Sequence, residues 1–254
     1  MPFGFYIIMA AQFFSALADN ALLIAAIAAL RDMHAPSEYE PLLKTFFTVS
    51  YVALAAFVGA FADSMPKWRV MFISNAIKIA GCSMMFFGAH PLVAYAVVGL
   101  GAAAYSPAKY GILTEYLPHR LLVVANGWIE GLTVGAIILG VVIGGMLIKP
   151  DIAQMLLSFD VPLIDTGIDT PVKMSISIVG VLYVIASLFN LYVPDTGVDH
   201  KPLKKNPYYL AHEFKHCFSL LWRDRLGQIS LAVTTLFWGA GATLQFIVIK
   251  WSEV

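Results

Sequence analysis

Long apolar runs separated by polar gaps dominate the hydropathy pattern of this 254-residue chain. Seven runs are long enough to cross a bilayer as helices, because a span needs about 20 apolar residues. They are residues 5–30, 43–62, 70–88, 91–113, 122–148, 174–193 and 229–250. Prolines fall in the gaps between them, where they end helices. The pattern predicts an all-α polytopic membrane protein with a six-helix bundle at 1–193, a linker at 194–228 and a seventh span within 229–254.

Composition supports a membrane protein and excludes some partners. Hydrophobic residues make up 59% of the chain and charged residues 13%, whereas soluble domains average about 25% charged. The formal net charge is zero, so the balance predicts no nucleic-acid partner. Cys82 and Cys217 belong to different segments and indicate no disulfide framework. The first run has no basic flank and is too long for a signal peptide, so we interpret it as a retained span.

Lysine and arginine are distributed unevenly between the gaps. The gaps 63–69, 114–120 and 194–228 hold most of them, and the alternate gaps hold only Arg31, Lys44, Lys149 and Lys173. By the positive-inside rule the basic gaps are cytoplasmic. The N-terminus is then predicted to be cytoplasmic too.

The first span carries a carboxylate near the predicted bilayer midplane. Gln12, Ser15 and Asp19 have the spacing of one helical face, and Asn20 follows Asp19. An acid at that depth costs at least ~2.5 kcal/mol unless it meets partners or water inside a bundle. We therefore expect this face to look inward and Asp19 to belong to a functional site. The alternative is a polar group that only hydrogen-bonds across helices.

Three further spans also carry polar faces. These faces are Asn75, Lys78 and Cys82; Tyr105, Ser106 and Lys109, beside Pro107; and Asn126, Glu130 and Thr133. Lys78 and Lys109 are candidate site residues, or they snorkel to the interface. Glu130 is a candidate site residue or an ion-pair partner for either lysine. The Gly140-x-x-x-Gly144 spacing predicts close helix packing.

The two long gaps lead to different interpretations. Residues 149–173 carry Asp151, Asp160, Asp165 and Asp169 without calcium-loop spacing, and predict a solvated connection. From Pro207 onward, apolar residues recur at helical spacing beside basic ones. This predicts an amphipathic helix on the anionic cytoplasmic leaflet.

The linker also matches the zinc-protease pattern His-Glu-x-x-His at residues 212–216. Lys215 lies inside the match, and few carboxylates follow that could complete a metal site. We therefore favour a solvated helix and predict no metal. In the seventh span, Trp238 and Gln245 belong to a polar and aromatic stripe that we expect to face inward.

The second span ends in Gly59-Ala-Phe-Ala-Asp63-Ser-Met-Pro-Lys67-Trp-Arg69. This string resembles the loop signature of the major facilitator superfamily. The resemblance implies that Gly59, Asp63, Lys67 and Arg69 form a clasp between helix ends that favours one alternating-access state. Pro66 stands where a glycine is usual. The alternative is an ordinary basic loop beside a membrane.

Several strings together resemble the bacterial lysophospholipid transporter family within that superfamily. They are Gln12-Phe-Phe-Ser-Ala-Leu-Ala-Asp19-Asn20, Gly101-Ala-Ala-Ala-Tyr-Ser-Pro107-Ala-Lys109-Tyr-Gly, Ala125-Asn-Gly-Trp-Ile-Glu130 and Phe237-Trp-Gly-Ala-Gly241. The resemblance implies a twelve-span fold in two halves, of which this chain holds the first half and the first helix of the second. It also implies transport of lyso-phosphatidylethanolamine and related lysolipids to the cytoplasmic leaflet of the inner membrane. There an acyltransferase, separate or fused, would re-acylate them.

For the site, we expect Asp19 to meet the ethanolamine ammonium, and Lys109 and Lys78 to meet the phosphate. The remaining candidate residues are Asn20, Tyr105, Glu130, Trp238 and Gln245. No cofactor and no enzymatic activity are predicted. One rival is a proton-coupled exporter of small amphiphiles on the same fold, with Asp19 or Glu130 as proton carrier. A membrane-bound lipid enzyme is the other, and it is disfavoured because the sequence contains no His-x-x-x-x-Asp acyltransferase pair.

Overall fold

The computed structural model describes residues 1–158, 167–202 and 206–251, and within those ranges the regular structure is entirely helical. The helices are α1 (Phe3–Asp32), α2 (Tyr39–Asp63), α3 (Lys67–Phe86), α4 (Pro91–Tyr116), α5 (His119–Ile148), α6 (Pro150–Leu157), α7 (Pro171–Leu191), α8 (Pro207–Arg223) and α9 (Arg225–Trp251). The predicted all-α class is confirmed. Each of the seven predicted spans coincides with one of these helices.

Local chemistry explains where several helices begin. Proline occupies the first helical positions of α4, α6, α7 and α8, where its missing N–H costs nothing. The side chains of His90, Thr170 and Asn206 each accept a hydrogen bond from a backbone N–H of the first turn. Such caps satisfy donors that have no partner within the helix.

Five helices are long and apolar enough to cross a membrane by length and composition: α1, α2, α4, α5 and α7. Helix α3 does not reach that threshold within the described ranges; it contains Lys67, Arg69 and Lys78. Helix α9 does not reach it either. The count of seven spans therefore stays a prediction.

The connection at residues 149–173 differs from the expected irregular loop. It begins with α6, whose first turn contains Pro150 and Asp151 and whose Ala153 is buried. Proline and an acid both favour a helix start, a local signal that the sequence interpretation missed. Asp160 and Asp165 lie outside the described residues. Lys173 donates to Asp169 at 2.7 Å, and this bond holds the pKa of the Asp169 carboxyl below its usual range.

The chain divides into two compact units, residues 1–203 and 204–254. In the first unit α1 packs against α5, α7 and α4, while α4 also packs against α2 and α3, and α3 against α7. The predicted close packing at Gly140 and Gly144 is confirmed. A Cβ at Gly140 would lie 2.6 Å from the Leu17 carbonyl oxygen, and one at Gly144 would lie 3.0 Å from the Ala21 carbonyl oxygen. Glycine therefore allows α5 to touch the backbone of α1.

The second unit contains α8 and α9, which pack against each other. On α8 the rings of Phe214, Phe218 and Trp222 stack in a row with centroids 6.4 and 5.9 Å apart. Helix α8 begins at Pro207, as the apolar periodicity predicts. Its position on the cytoplasmic leaflet stays a prediction.

Candidate functional site

Asp19 lies in the first unit, where three other helices supply hydrogen bonds to it. Lys78 Nζ on α3 donates to Asp19 Oδ2 at 2.8 Å, and Tyr183 Oη on α7 donates to Oδ1 at 2.8 Å. Tyr95 Oη on α4 donates to the Asp19 backbone oxygen at 3.2 Å. The Asp19 side chain is 16% exposed. The inward orientation expected for this face of α1 is confirmed, because Gln12 and Ser15 are also buried.

Lys78 is a buried cation. Its side chain is 2% exposed, and its ammonium also donates to Ser15 Oγ at 2.9 Å. Ser15 in turn donates to Asn75 Oδ1 at 2.9 Å. The snorkelling alternative for Lys78 does not fit this geometry. Its ion-pair partner is Asp19 and not Glu130.

Tyr105 lies beside this ion pair. The Lys78 ammonium lies 5.2 Å from the centroid of the Tyr105 ring and 5.8 Å from that of the Tyr183 ring, and such cation–π contacts stabilise a desolvated charge. Among the described residues, the buried Tyr105 Oη and Asn75 Nδ2 have no hydrogen-bond partner. Two donors without acceptors thus lie near the Lys78–Ser15 network.

Lys109 is the second buried cation of the bundle. It is 6% exposed, and its ammonium lies 4.2 Å from the centroid of the Tyr110 ring. The charges of Glu130, Lys78 and Asp19 all act on it. Within the described ranges no carboxylate forms an ion pair with Lys109. Glu130 instead accepts a hydrogen bond from Tyr110 Oη.

Helix α2 adds residues that the sequence analysis did not select. The charge of Asp19 acts on both Lys44 and Tyr51, and Tyr51 also interacts with the Ser106 side chain on α4. Hydrogen bonds and ring contacts thus bring groups from α1, α3, α4 and α7 together in one polar region around Asp19, which includes the predicted site residues Lys78 and Tyr105. The predicted site residues Lys109, on α4, and Glu130, on α5, both contact Tyr110.

Tyr183 is the other residue of the site that sequence reasoning missed, whereas Tyr95 bonds only to the backbone of α1 and belongs to the α1–α4 packing. Each is a single tyrosine in an apolar run, and such a residue is equally common at a membrane interface. The available signal was Tyr183 followed by Ser187 and Asn190 on one face of α7. That face is buried.

The remaining predicted residues are Asn20, Trp238 and Gln245. Asn20 donates to the Ala16 backbone oxygen within α1 at 2.9 Å, and its Cβ lies against Gly140 of α5. It therefore belongs to the α1–α5 contact. Trp238 and Gln245 lie on α9 in the second unit, and their part in a site stays a prediction.

The loop motif between α2 and α3 is built around a buried lysine. Lys67 is 6% exposed, and its ammonium contacts Asp63 Oδ1 at 2.7 Å, the Ala62 backbone oxygen at 2.8 Å and Glu115 Oε1 at 3.3 Å. Lys67 thus joins the ends of α2, α3 and α4. Pro66 precedes α3 with φ −50° and ψ 134°, and it does not disrupt this contact. Arg69 stacks on the Trp68 ring, and Gly59 has open space beside it.

The segment after α7 binds to the same helix ends. Thr196 Oγ1 donates to Glu115 Oε2 at 2.9 Å, and Lys201 N donates to the Asp63 backbone oxygen at 3.0 Å. A Cβ at Gly4 would lie 2.3 Å from Pro194 Cγ. Residues 194–201 therefore run across the ends of α1, α4 and α2, and they brace the loop motif.

The first unit also contains a mostly apolar groove, and α8 contains the His-Glu-x-x-His match. A groove of about 220 Å³ lies between α3 and α7, lined by Cys82, Ser83, Phe86, Phe87, Ile176, Ser177 and Gly180. It begins one helical turn from Lys78 and contains no charged residue. Across the described part of the chain, no three His, Cys, Asp or Glu side chains cluster as a metal site; His212, Glu213 and His216 lie along α8.

The sequence of the chain matches one family model and several curated proteins. The family model of the Major Facilitator Superfamily matches residues 8–253. The chain is 39% identical over 251 residues to the Lysophospholipid transporter LplT of Yersinia enterocolitica, covering 99% of this chain and 57% of that protein. It is 39% identical over 247 residues to the LplT of Serratia proteamaculans, covering 97% and 57%. The chain therefore spans 57% of the length of these curated relatives.

Proposed function

The chain belongs to the Major Facilitator Superfamily, and from that premise we propose that it takes part in moving lysophospholipids across a membrane by alternating access. The preferred substrate is lyso-phosphatidylethanolamine, together with related lysolipids. Support comes from relatives named as lysophospholipid transporters and from charges of both signs within one helical bundle. Because the chain covers little more than half of those relatives, the activity of the whole protein is part of this proposal.

The observation that carries the proposal is the burial of the Lys109 ammonium without a carboxylate in contact with it. This cation is nearly buried, and no ion-pair partner for it occurs among the described residues. A buried charge that no carboxylate contacts directly carries a desolvation cost of several kcal/mol. The Tyr110 ring and the charges of Glu130 and Asp19, which act from beyond ion-pair distance, offset part of that cost. A phosphate oxygen reaching Lys109 would supply a negative charge in direct contact.

Asp19 is the complementary group for a zwitterionic head group. Its carboxylate offers about four acceptor positions, and Lys78 and Tyr183 occupy two of them. The partly exposed side of Asp19 is therefore available to an ethanolamine ammonium. Opposite charges attract more strongly in a water-poor cavity than in water. The single acyl chain would remain in lipid or in an apolar groove.

The proposal also includes the direction of lysolipid transport and the membrane in which the chain lies. Lysolipid would move from the outer to the cytoplasmic leaflet of the bacterial inner membrane, with the N-terminus of the chain in the cytoplasm. An acyltransferase, separate or fused, would consume the product there. The Lys67 contacts at the ends of α2, α3 and α4 support a role for the loop motif, with Asp63 and Arg69, in favouring one of the two alternating states. Helix α8 would lie on the cytoplasmic leaflet with its aromatic row toward lipid.

The test measures uptake of labelled lyso-phosphatidylethanolamine into proteoliposomes that contain the full-length protein. Lys109→Gln should lower uptake at least tenfold, because a hydrogen bond to a charged group contributes about 1.5–3 kcal/mol, whereas Lys109→Arg keeps the charge and should retain part of the activity. Lys173→Gln is the matched control, since Lys173 pairs with exposed Asp169 far from the site in sequence. Equal uptake by all variants would contradict the role of Lys109.

A second experiment distinguishes lysolipid transport from the rival function, proton-coupled export of small amphiphiles. A proton-coupled exporter would lose transport when an uncoupler collapses the proton gradient, and it would move amphiphiles outward. Uptake that persists with an uncoupler supports the lysolipid proposal. Outward, uncoupler-sensitive transport of amphiphiles without lysolipid uptake would replace it with the exporter.

A further inference from the structure

Asp19 is held by side chains that are more deeply buried than Asp19 itself. Tyr183 is fully buried, and Lys78 is almost so, whereas the Asp19 side chain keeps 16% of its surface exposed. The three residues lie on α7, α3 and α1. The buried donors Lys78 and Tyr183 therefore hold the Asp19 carboxylate from its inner side, and its exposed surface faces the polar region.

We propose that Tyr183 is a positioning residue that orients the Asp19 carboxylate for an ammonium-bearing ligand. This inference rests on the proposed function, since it assigns the residue that sets recognition of the head-group ammonium. The direct contact is the hydrogen bond from Tyr183 Oη to Asp19 Oδ1 at 2.8 Å. Tyr183 acts on the ligand only through Asp19.

The chemistry of the two donors explains why Tyr183 and Lys78 differ in role. Lys78 is a cation, so its contact with Oδ2 partly cancels the charge that would attract an ammonium. Tyr183 is neutral, and its O–H holds Oδ1 without cancelling that charge. The terminal torsion of aspartate is broad, so without Tyr183 the carboxylate can turn and pair more completely with Lys78. Removing the phenol O–H should therefore weaken binding of an ammonium while leaving the bundle folded.

Tyr95 provides a matched comparison. It is also a buried tyrosine in the same bundle, and it also donates to Asp19. Its bond goes to the backbone oxygen, which is part of the α1–α4 packing and does not orient the carboxylate. Tyr183→Phe and Tyr95→Phe each remove one hydroxyl beside the same residue, but only Tyr183→Phe removes a hydrogen bond to the charged group.

The experiment determines KM and kcat for lyso-phosphatidylethanolamine uptake with the full-length protein in proteoliposomes. Tyr183→Phe should raise KM roughly tenfold, the effect expected for losing a hydrogen bond to a charged group, and should leave kcat within about twofold. Tyr95→Phe should leave KM unchanged even if it lowers the melting temperature. Introducing 3-fluorotyrosine at position 183 keeps the ring and strengthens the hydrogen-bond donor, so KM should fall. If Tyr183→Phe does not fold, this second variant tests the positioning role of Tyr183.

The outcomes are distinguishable. An unchanged KM for both changes at position 183, or equal KM increases for Tyr183→Phe and Tyr95→Phe, would overturn the positioning role and leave the proposed function intact. Absence of lysolipid uptake by the wild-type protein would overturn the proposed function and this inference with it. A KM increase confined to Tyr183→Phe, with uptake by the wild type, supports both.

Discussion

Replacing Lys78 with methionine should destabilise the bundle far more than removing a lysine from a comparable surface pair. Lys78 Nζ and Asp19 Oδ2 are 2.8 Å apart, which corresponds to an attraction of about 6 kcal/mol at an effective dielectric constant of 20. Part of this offsets the desolvation of both ions. Breaking a buried pair by removing one partner typically costs about 3–5 kcal/mol, because the other charge is left uncompensated. Since Asp19 retains some exposure, we expect about 3 kcal/mol.

The double variant Lys78→Met with Asp19→Asn separates this effect from simple loss of packing. It removes both charges, and Tyr183 can still donate to the amide oxygen of the new asparagine. We expect the double variant to lie within about 1 kcal/mol of wild type, because replacing a whole buried pair is often nearly neutral. Measured together with Lys78→Met and Asp19→Asn as single variants, the double variant completes a cycle whose coupling energy measures the ion pair itself.

The assay is equilibrium unfolding of the full-length protein in mixed micelles of mild detergent and SDS. Lys173→Met is the control, because Lys173 and Asp169 have a similar separation of 2.7 Å but are 36% and 70% exposed. Solvent screens such a pair, so its loss should not be measurable. Two results would contradict a stabilising buried ion pair: Lys78→Met no more destabilising than Lys173→Met, or a double variant less stable than Lys78→Met alone.

Three further predictions follow from the packing and the charges. Gly140→Ala should cost about 1–3 kcal/mol of unfolding free energy, the range for overpacking, whereas Gly145→Ala, which has open space beside it, should be neutral in the same assay. Lys67→Gln should slow lysolipid uptake about tenfold, because it breaks the contacts that join the ends of α2, α3 and α4. Arg69→Gln, which loses only a ring contact, should have a smaller effect. Equal effects would contradict the role of Lys67 in the loop motif. Cys217 should react with a membrane-impermeant thiol reagent in inverted vesicles and not in spheroplasts, since α8 is predicted to be cytoplasmic; the opposite result would reverse the topology.

The helices of this protein are determined largely by local sequence. A long apolar segment satisfies its backbone groups best as a helix, and prolines mark the ends, so each predicted span coincides with a helix. The glycine spacing on α5 also predicts its contact with α1, because only glycine lets two backbones approach so closely. Among the helices of the described residues, α6 alone departs from the sequence prediction, which places a solvated connection at residues 149–173.

The polar contacts depend on the tertiary structure. The sequence indicates that Asp19 faces inward, but its partners depend on how α3 and α7 are rotated and shifted against α1. Those rotations place Lys78 against Asp19 and leave Lys109 without an ion-pair partner among the described residues. They also place Tyr183, a residue with an ordinary sequence context, on the carboxylate. A helical periodicity specifies which residues share a face, whereas packing between helices decides which faces meet.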